Sequence, residues 1–214
     1  YAAMVVDADT GEVLFSRNGQ AIRYPASLTK MMTLYLAFDA LNSGKLNLDQ
    51  NLKVSKRAAG QTPSRLGLKA GRTITTRDAI LAMVTKSAND AATVVAEAIG
   101  GTEVKFAEIM TSKARSMGMR RTTFRNATGL PNRHQRTTAG DMSLLATALL
   151  RDHGNHYHYF STSKFTHGGR TYGNHNNLLK TYQGADGIKT GYIRASGFNL
   201  VASVRRGDTR LIGI

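Results

Sequence analysis

The feature that most constrains this chain is the position of its strand-like segments, which lie at the two ends of the sequence. Residues 1–7 and 12–16 are apolar-rich runs separated by Ala8-Asp9-Thr10-Gly11, a sequence typical of a hairpin turn. Strands this far apart along the chain can share one sheet only if the intervening residues leave the sheet and return to it. The later strand-like runs are 185–190, 198–205 and 209 onward.

The segment between the two ends has mainly helical periodicity. A first helix is predicted from Ser27 to about Asn42, with Gly44 as its stop signal. The predicted apolar face of a later helix, which starts near Thr102, includes Val104. N-cap chemistry precedes two other periodic runs, in Thr75-Thr76-Arg77-Asp78 and at Thr138 with Asp141.

These patterns predict an α/β (α+β) fold in which both chain ends build an antiparallel sheet with flanking helices and an inserted, mostly helical lobe. We expect residues 1–214 to form a single domain. Its sheet lobe is predicted to span 1–44 and 180–214, and its helical lobe 45–179. Because ligands favour clefts between lobes, the boundary between the two is the expected functional region.

The composition excludes several protein classes. A chain of 214 residues with 41% hydrophobic and 20% charged residues is neither disordered nor a coiled coil. It has no cysteine, which excludes disulfides, thiolate metal sites and a cysteine nucleophile. No apolar run approaches the roughly 20 residues that span a membrane. The net charge of +15 favours polyanions, so a basic polyanion-binding module is the non-enzymatic alternative.

Ser27-Leu28-Thr29-Lys30 is the first candidate for chemistry. Residues three apart on a helix are neighbours on one face, so the lysine amine can reach the serine hydroxyl. A serine becomes a good nucleophile only when a base takes its proton, and a lysine can do this when its pKa is lowered. The pattern recurs in Ser161-Thr162-Ser163-Lys164, but that copy lies in a polar stretch.

Two further motifs are weak by themselves. Ser87-Ala88-Asn89 lies between two predicted helices, where it could simply cap a helix, and Ser16-Arg17-Asn18 has the same pattern. Lys189-Thr190-Gly191 ends a predicted strand and could be an ordinary turn. Its cation, hydroxyl and glycine would also suit a substrate carboxylate that approaches the backbone closely.

The three motifs together, in this order, match the set that serine β-lactamases and penicillin-binding proteins use. From Tyr1 to Ile214 the chain resembles the low-molecular-weight penicillin-binding proteins that are D-alanyl-D-alanine carboxypeptidases. The segments that carry the resemblance are 25–30, 87–92, 124–131 and 186–192.

The resemblance implies a role for each matching residue. Ser27 would be the acylated nucleophile, Lys30 its general base, and Ser87 the relay of a proton to the leaving amine. The backbone N–H groups of Ser27 and Tyr192 would form the oxyanion hole. The residues that the resemblance assigns to substrate binding are Asn89, Lys189, Thr190, Gly191 and Tyr192.

The implied activity is removal of the terminal D-alanine from peptidoglycan pentapeptides, with β-lactam antibiotics as covalent inhibitors. A DD-endopeptidase and a class A-like β-lactamase remain alternatives, although no obvious Glu-x-x-Leu-Asn segment supports the latter. The resemblance also implies a periplasmic or cell-envelope location with the signal peptide removed. A C-terminal strand and helix, and a membrane-anchoring segment that would allow peripheral membrane contact, are expected outside residues 1–214.

We expect no cofactor, no metal and no nucleic acid partner. Five histidines precede the Lys189 motif, but no carboxylate cluster accompanies them. One departure from the family lies directly after Tyr192: Ile193-Arg194 stands where the family usually has threonine. We expect this change to affect the positioning of the substrate but not the reaction. The five histidines are His153, His156, His158, His167 and His175.

Overall fold

The computed structural model describes residues 1–214, and in it the strands from both chain ends form one five-stranded sheet. The strands are Ala3–Asp7 (β1), Val13–Arg17 (β2), Asn51–Lys53 (β3), Thr73–Thr75 (β4), Lys164–His167 (β5), Arg170–Gly173 (β6), Ala185–Ile193 (β7), Gly197–Arg206 (β8) and Thr209–Gly213 (β9). The sheet order is β2-β1-β9-β8-β7, and every neighbouring pair is antiparallel. The predicted fold class is therefore confirmed, and β7 is an edge strand.

The longer helices begin close to their predicted positions, whereas the three four-residue helices were not predicted. The helices are Thr29–Asn42 (α1), Lys56–Ala59 (α2), Thr76–Thr85 (α3), Asn89–Gly100 (α4), Glu103–Ser116 (α5), Ala139–Asp152 (α6), Gly154–Tyr157 (α7) and Leu178–Thr181 (α8). The hydroxyls of Thr75, Thr102 and Thr138 each accept the backbone N–H three residues ahead, as N-caps do. Ser27 differs from its prediction, because it lies in a 3-10 turn, Ala26–Leu28, just before α1.

The middle of the chain is less uniformly helical than predicted. It contains two small sheets, β3 with β4 and β5 with β6, whose strands have three or four residues. Strands this short are too brief to establish a period of two in the sequence. Helix α6, which lies in the predicted helical segment, packs against β1, β8 and β9. The proposed division into a sheet lobe and a helical lobe stays a prediction.

Helix α1 is the centre of the structure. Eleven of its residues are buried, and it packs against α3, α4, α5 and α6. A helix that is apolar on all sides is stable only when other elements surround it. Lys30 is part of this helix and is fully buried, so the fold carries an amine into the interior. None of the helices combines the length and the hydropathy that crossing a bilayer requires.

Two phenylalanines provide a test of the described core. Phe38 on α1 is fully buried among aromatic rings, whereas Phe198 on β8 is 92% exposed. Phe38→Ala should lower the free energy of unfolding by about 3–5 kcal/mol, because it leaves a cavity. Phe198→Ala should change it by less than about 0.5 kcal/mol. Urea unfolding measures both values, and similar losses in the two variants would contradict this packing.

Candidate active site

The three sequence motifs meet at one cleft of about 610 Å³. It lies where the 3-10 turn of Ser27, the turn before α4 and the edge strand β7 come together. The second Ser-x-x-Lys copy lies elsewhere: Ser161 is exposed, and its hydroxyl donates to the backbone oxygen of His158. The predicted residues that line the cleft are Ser27, Ser87, Thr190, Gly191 and Tyr192.

The amine of Lys30 is the closest base to Ser27. Its Nζ lies 3.2 Å from the Ser27 Oγ, 2.7 Å from the Asn89 Oδ1 and 2.5 Å from the Thr128 backbone oxygen. The last two atoms can only accept hydrogen bonds. A neutral amine has two N–H bonds and one lone pair, so these two acceptors satisfy its donors. The lone pair then faces the serine hydroxyl.

Burial favours the neutral form of this amine. It lowers the pKa of Lys30 well below its ordinary value, and the positive charge of Lys189 lowers that pKa further. The negative charge of Asp90 acts in the opposite direction. Burial also lowers the pKa of Lys189, to about 7. Neither lysine lines the cleft, but both are buried directly beside it, and two neighbouring lysines with lowered pKa values are typical of a functional site.

Lys189 connects the strand to the second serine. Its Nζ donates to the Ser87 Oγ at 3.0 Å and to the Thr190 backbone oxygen at 2.9 Å. Ser87 is itself only 5% exposed. A hydroxyl held beside an amine in this way can take a proton from one side and pass one to the other.

Two residues in turns at the site, Ala26 and Ser87, have positive φ angles, a backbone conformation that favours glycine. Ala26, directly before Ser27, has φ +46°, and Ser87 has φ +57°. Each such conformation costs a residue with a Cβ about 1–2 kcal/mol. The surrounding structure keeps Ser87 there, because the N–H groups of Ala88 and Asn89 bond to the backbone oxygens of Ala82 and Ser64. Ala26 directly precedes the Ser27 hydroxyl, and Ser87 carries the second candidate hydroxyl itself.

Glycines allow two other elements to approach the Ser27 turn. A Cβ on Gly191 would lie 2.8 Å from the Ser27 nitrogen, so only glycine permits this approach of β7. Gly129 has φ +86°, and a Cβ there would overlap the backbone oxygen of Ala26. The segment around Gly129 also includes Thr128, whose backbone oxygen contacts Lys30. These close contacts position Ser27 between β7 and the 126–130 segment.

Asn89 does not line the cleft, and both polar atoms of its side chain bond within the protein. Its Oδ1 accepts from Lys30, and its Nδ2 donates to the Thr62 backbone oxygen at 2.8 Å. The side chain is therefore bonded within the protein at both ends, and it orients the Lys30 amine. Binding of a substrate backbone by Asn89 stays a prediction.

Several cleft features were not predicted from the sequence. Thr128 contributes a backbone atom, to which the residue type gives no clue. His175 lines the cleft, and its backbone N–H donates to the Thr85 backbone oxygen. Burial and the nearby lysines lower the pKa of His175. Its position in Asn174-His175-Asn176, a loop that resembles the family, was the only signal available.

Comparison with known proteins now identifies the family. The model of the peptidase S11 family, D-alanyl-D-alanine carboxypeptidase, matches residues 1–214. The chain belongs to this family. It is 34% identical to the D-alanyl-D-alanine carboxypeptidase DacF of Bacillus subtilis over 224 residues, which covers 100% of this chain and 56% of the relative. The chain thus spans a little over half the length of this relative.

Solved structures of this family have the same fold. The D-alanyl-D-alanine carboxypeptidase DacD of Francisella tularensis superposes with a TM-score of 0.95 and 30% identity, covering 99% of this chain and 64% of that protein. Penicillin-binding protein D2 of Listeria monocytogenes, in a cefotaxime-bound form, superposes with a TM-score of 0.89 and 32% identity. That match covers 99% of this chain and 87% of the Listeria protein.

The low pKa of Lys189 predicts a pH-dependent stability. In the unfolded chain its amine has the ordinary pKa of 10.5, and in the folded protein a pKa of about 7. Between these values the unfolded state binds a proton that the folded state does not, so the free energy of unfolding rises with pH. Lys189→Met removes this contribution.

The free energy of unfolding of both proteins, measured from pH 6 to pH 10, tests this prediction. The wild type should gain stability relative to Lys189→Met as the pH rises through this range. An exposed lysine provides the control, because Lys164→Met should keep a constant difference from the wild type. A constant difference for Lys189→Met as well would contradict the lowered pKa of the buried Lys189.

Proposed function

We propose that this protein is a serine-type D-alanyl-D-alanine carboxypeptidase that removes the terminal D-alanine of peptidoglycan pentapeptides. The observation that carries the proposal is the 3.2 Å distance between the Ser27 Oγ and the amine of Lys30, a fully buried base with a lowered pKa. Membership of the carboxypeptidase family supports the choice of substrate. Because peptidoglycan lies outside the cytoplasmic membrane, we propose the cell envelope as the site of action.

Acylation of Ser27 is the first half of the proposed reaction. The lone pair of Lys30 accepts the proton of the hydroxyl as Oγ attacks the carbonyl carbon of the penultimate D-alanine. The carbonyl electron pair moves to its oxygen, which becomes an oxyanion. The backbone N–H of Ser27, which has no acceptor within the protein, is available to bind it, and we assign the second donor to Tyr192.

Departure of D-alanine completes this half. The oxyanion re-forms the carbonyl, the carbon–nitrogen bond breaks, and the leaving nitrogen takes a proton. We assign this proton to the Ser87 hydroxyl, which bonds Lys189. Ser87 in turn receives the proton that Lys30 took from Ser27, so the Lys30 amine is neutral again before water attacks. Water then attacks the acyl-enzyme, gives a proton to the Lys30 amine, and the ester bond to Oγ breaks. The shortened peptide leaves, and Ser27 regains its proton.

The proposed recognition of substrate depends on the charges around the cleft and on the free edge of strand β7. No Asp or Glu lines the cleft, whereas Lys189 and Thr190 adjoin it, which suits the carboxylate of a terminal D-alanine. Strand β7 has one edge free of sheet partners, so a peptide can add to it as a further strand beside Gly191. Ile193, where the family usually has threonine, would provide no hydroxyl for the carboxylate.

Penicillins are proposed to acylate Ser27, because a lactam carbonyl is open to the same attack. The leaving nitrogen of a lactam stays attached to the acyl group after ring opening and does not vacate the cleft as D-alanine does. No carboxylate lines the cleft as an additional base for water, so we expect the penicilloyl ester to persist. A persistent ester distinguishes a penicillin-binding protein from the β-lactamase alternative, which must release its product rapidly.

Intact mass spectrometry after incubation with a penicillin tests the nucleophile. We expect one penicilloyl adduct on the wild type and none on Ser27→Ala. Ser161→Ala, in the second Ser-x-x-Lys copy, is the matched control and should be labelled like the wild type. The same proteins should release free D-alanine from a linear pentapeptide, again only when Ser27 is present. An unmodified wild type that releases no D-alanine would refute the proposal, and cleavage of crosslinked peptides without release of D-alanine from the linear pentapeptide would favour an endopeptidase.

The general base is tested separately. Lys30→Ala should reduce the acylation rate constant at least about a hundredfold, since positioned bases contribute roughly 10²–10⁴. Lys164→Ala changes the corresponding lysine of the second copy and should have no effect. Circular dichroism and thermal unfolding check that both variants fold. Acylation of a folded Lys30→Ala at the wild-type rate would exclude Lys30 as the base.

A further inference from the structure

Asp90 is a fully buried carboxylate that neighbours the site without lining it. It is the second residue of α4, and it forms no salt bridge with any lysine or arginine. Its oxygens accept three consecutive backbone N–H groups, those of Leu66, Gly67 and Leu68, at 3.0, 2.8 and 3.0 Å. A buried charge is tolerated when hydrogen-bond donors surround it in this way.

Asp90 and its neighbour Asn89 hold the same segment of chain. Asn89 binds this segment at two earlier points, because its Nδ2 donates to the Thr62 oxygen and its N–H to the Ser64 oxygen. Ser64 lines the cleft. Residues 62–68 are thus fastened to the start of α4 at five points. The Asn89 carboxamide, which orients Lys30, is held between this segment and the amine.

The charges around Lys30 make Asp90 distinctive. The Lys30 amine contacts the Ser27 Oγ of the 3-10 turn and the Thr128 backbone oxygen of the 126–130 segment, and both of these oxygens are uncharged. Strand β7 contributes the positive charge of Lys189, and helix α4 contributes the only acidic group that acts on the amine, Asp90. The remaining titratable group nearby, His175, is itself influenced by Lys30.

We propose that Asp90 is a positioning residue for the reaction at Ser27. Its carboxylate fastens residues 62–68 to α4 beside Asn89, and its negative charge opposes that of Lys189 at the Lys30 amine. The inference rests on the proposed function, in which this amine is the base. It assigns two separable effects to one side chain, one of hydrogen bonding and one of charge.

The charge effect has a definite sign. Asp90 raises the pKa of Lys30 against the lowering by burial and Lys189. Without this charge the amine becomes neutral at a lower pH. The acid limb of the acylation rate, the range over which the rate rises with pH, should therefore move to lower pH in Asp90→Asn. A merely structural role would lower the rate at every pH and leave the limb in place.

Asp141 is the matched control for Asp90→Asn. It is also a buried carboxylate in the first turn of a helix, where it accepts the Arg121 N–H at 2.9 Å and the Thr122 hydroxyl at 2.6 Å. It has no effect on the pKa of Lys30. Asp141→Asn should reduce stability and leave the acid limb unchanged. Asp90→Glu should keep the limb near its wild-type position, because it retains the charge.

The hydrogen-bonding effect is measured by amide hydrogen exchange. In the wild type the amides of Leu66, Gly67 and Leu68 should exchange slowly. In Asp90→Asn the carboxamide nitrogen cannot accept a bond, so at least one of these amides should exchange about tenfold faster or more. Asp141→Asn should leave all three unchanged. Unprotected amides in the wild type would overturn the fastening even if Asp90→Asn did not fold.

Lysine NMR measures the charge effect without any reaction. The Lys30 amine resonance should titrate at lower pH in Asp90→Asn than in the wild type or in Asp90→Glu. An unchanged Lys30 titration, or an acid limb that stays in place, would overturn the charge effect. Failure of the wild type to react with a penicillin would instead refute the proposed function, and the exchange and NMR results would still decide the inference.

Discussion

The amine of Lys30, buried inside the protein and bonded to two oxygens that only accept, is the contact on which the rest of the site depends. A charged amine at this depth would be costly, and a neutral one has a lone pair for Ser27. The fold provides this environment, because α1 runs through the core and begins directly after the strained Ala26 turn. Burial destabilises the charged form of this amine and so provides Ser27 with a base of lowered pKa.

Much of the fold follows from the sequence because the strong signals are local. Threonine caps and long apolar periods predicted the starts of α3, α5 and α6. The sheet built from both ends was predictable because its strands are bounded by clear turns. The apolar face of α5 was partly wrong: Val104 is 64% exposed, and Phe106 lies in the core instead. Near a helix start, a shift of two residues changes which side chain faces inward.

Less of the site could be predicted, because much of it consists of backbone atoms and long-range contacts. The resemblance brought Ser27, Lys30 and Lys189 together, and the structure has them in one region. The Thr128 oxygen that binds Lys30 has no signature in the sequence. The same holds for the left-handed backbone at Ser87, a residue type that rarely adopts it. Such features arise only when distant segments pack.

The most direct test of this account is the rate constant for acylation of the wild type by a penicillin, measured from pH 5 to pH 11. If a neutral Lys30 is the base, the rate should rise with pH to a plateau, with its midpoint well below 10.5, the ordinary pKa of a lysine. A rate that keeps rising, with its midpoint near 10.5, would contradict the account, because the base would then be an ordinary, solvated amine.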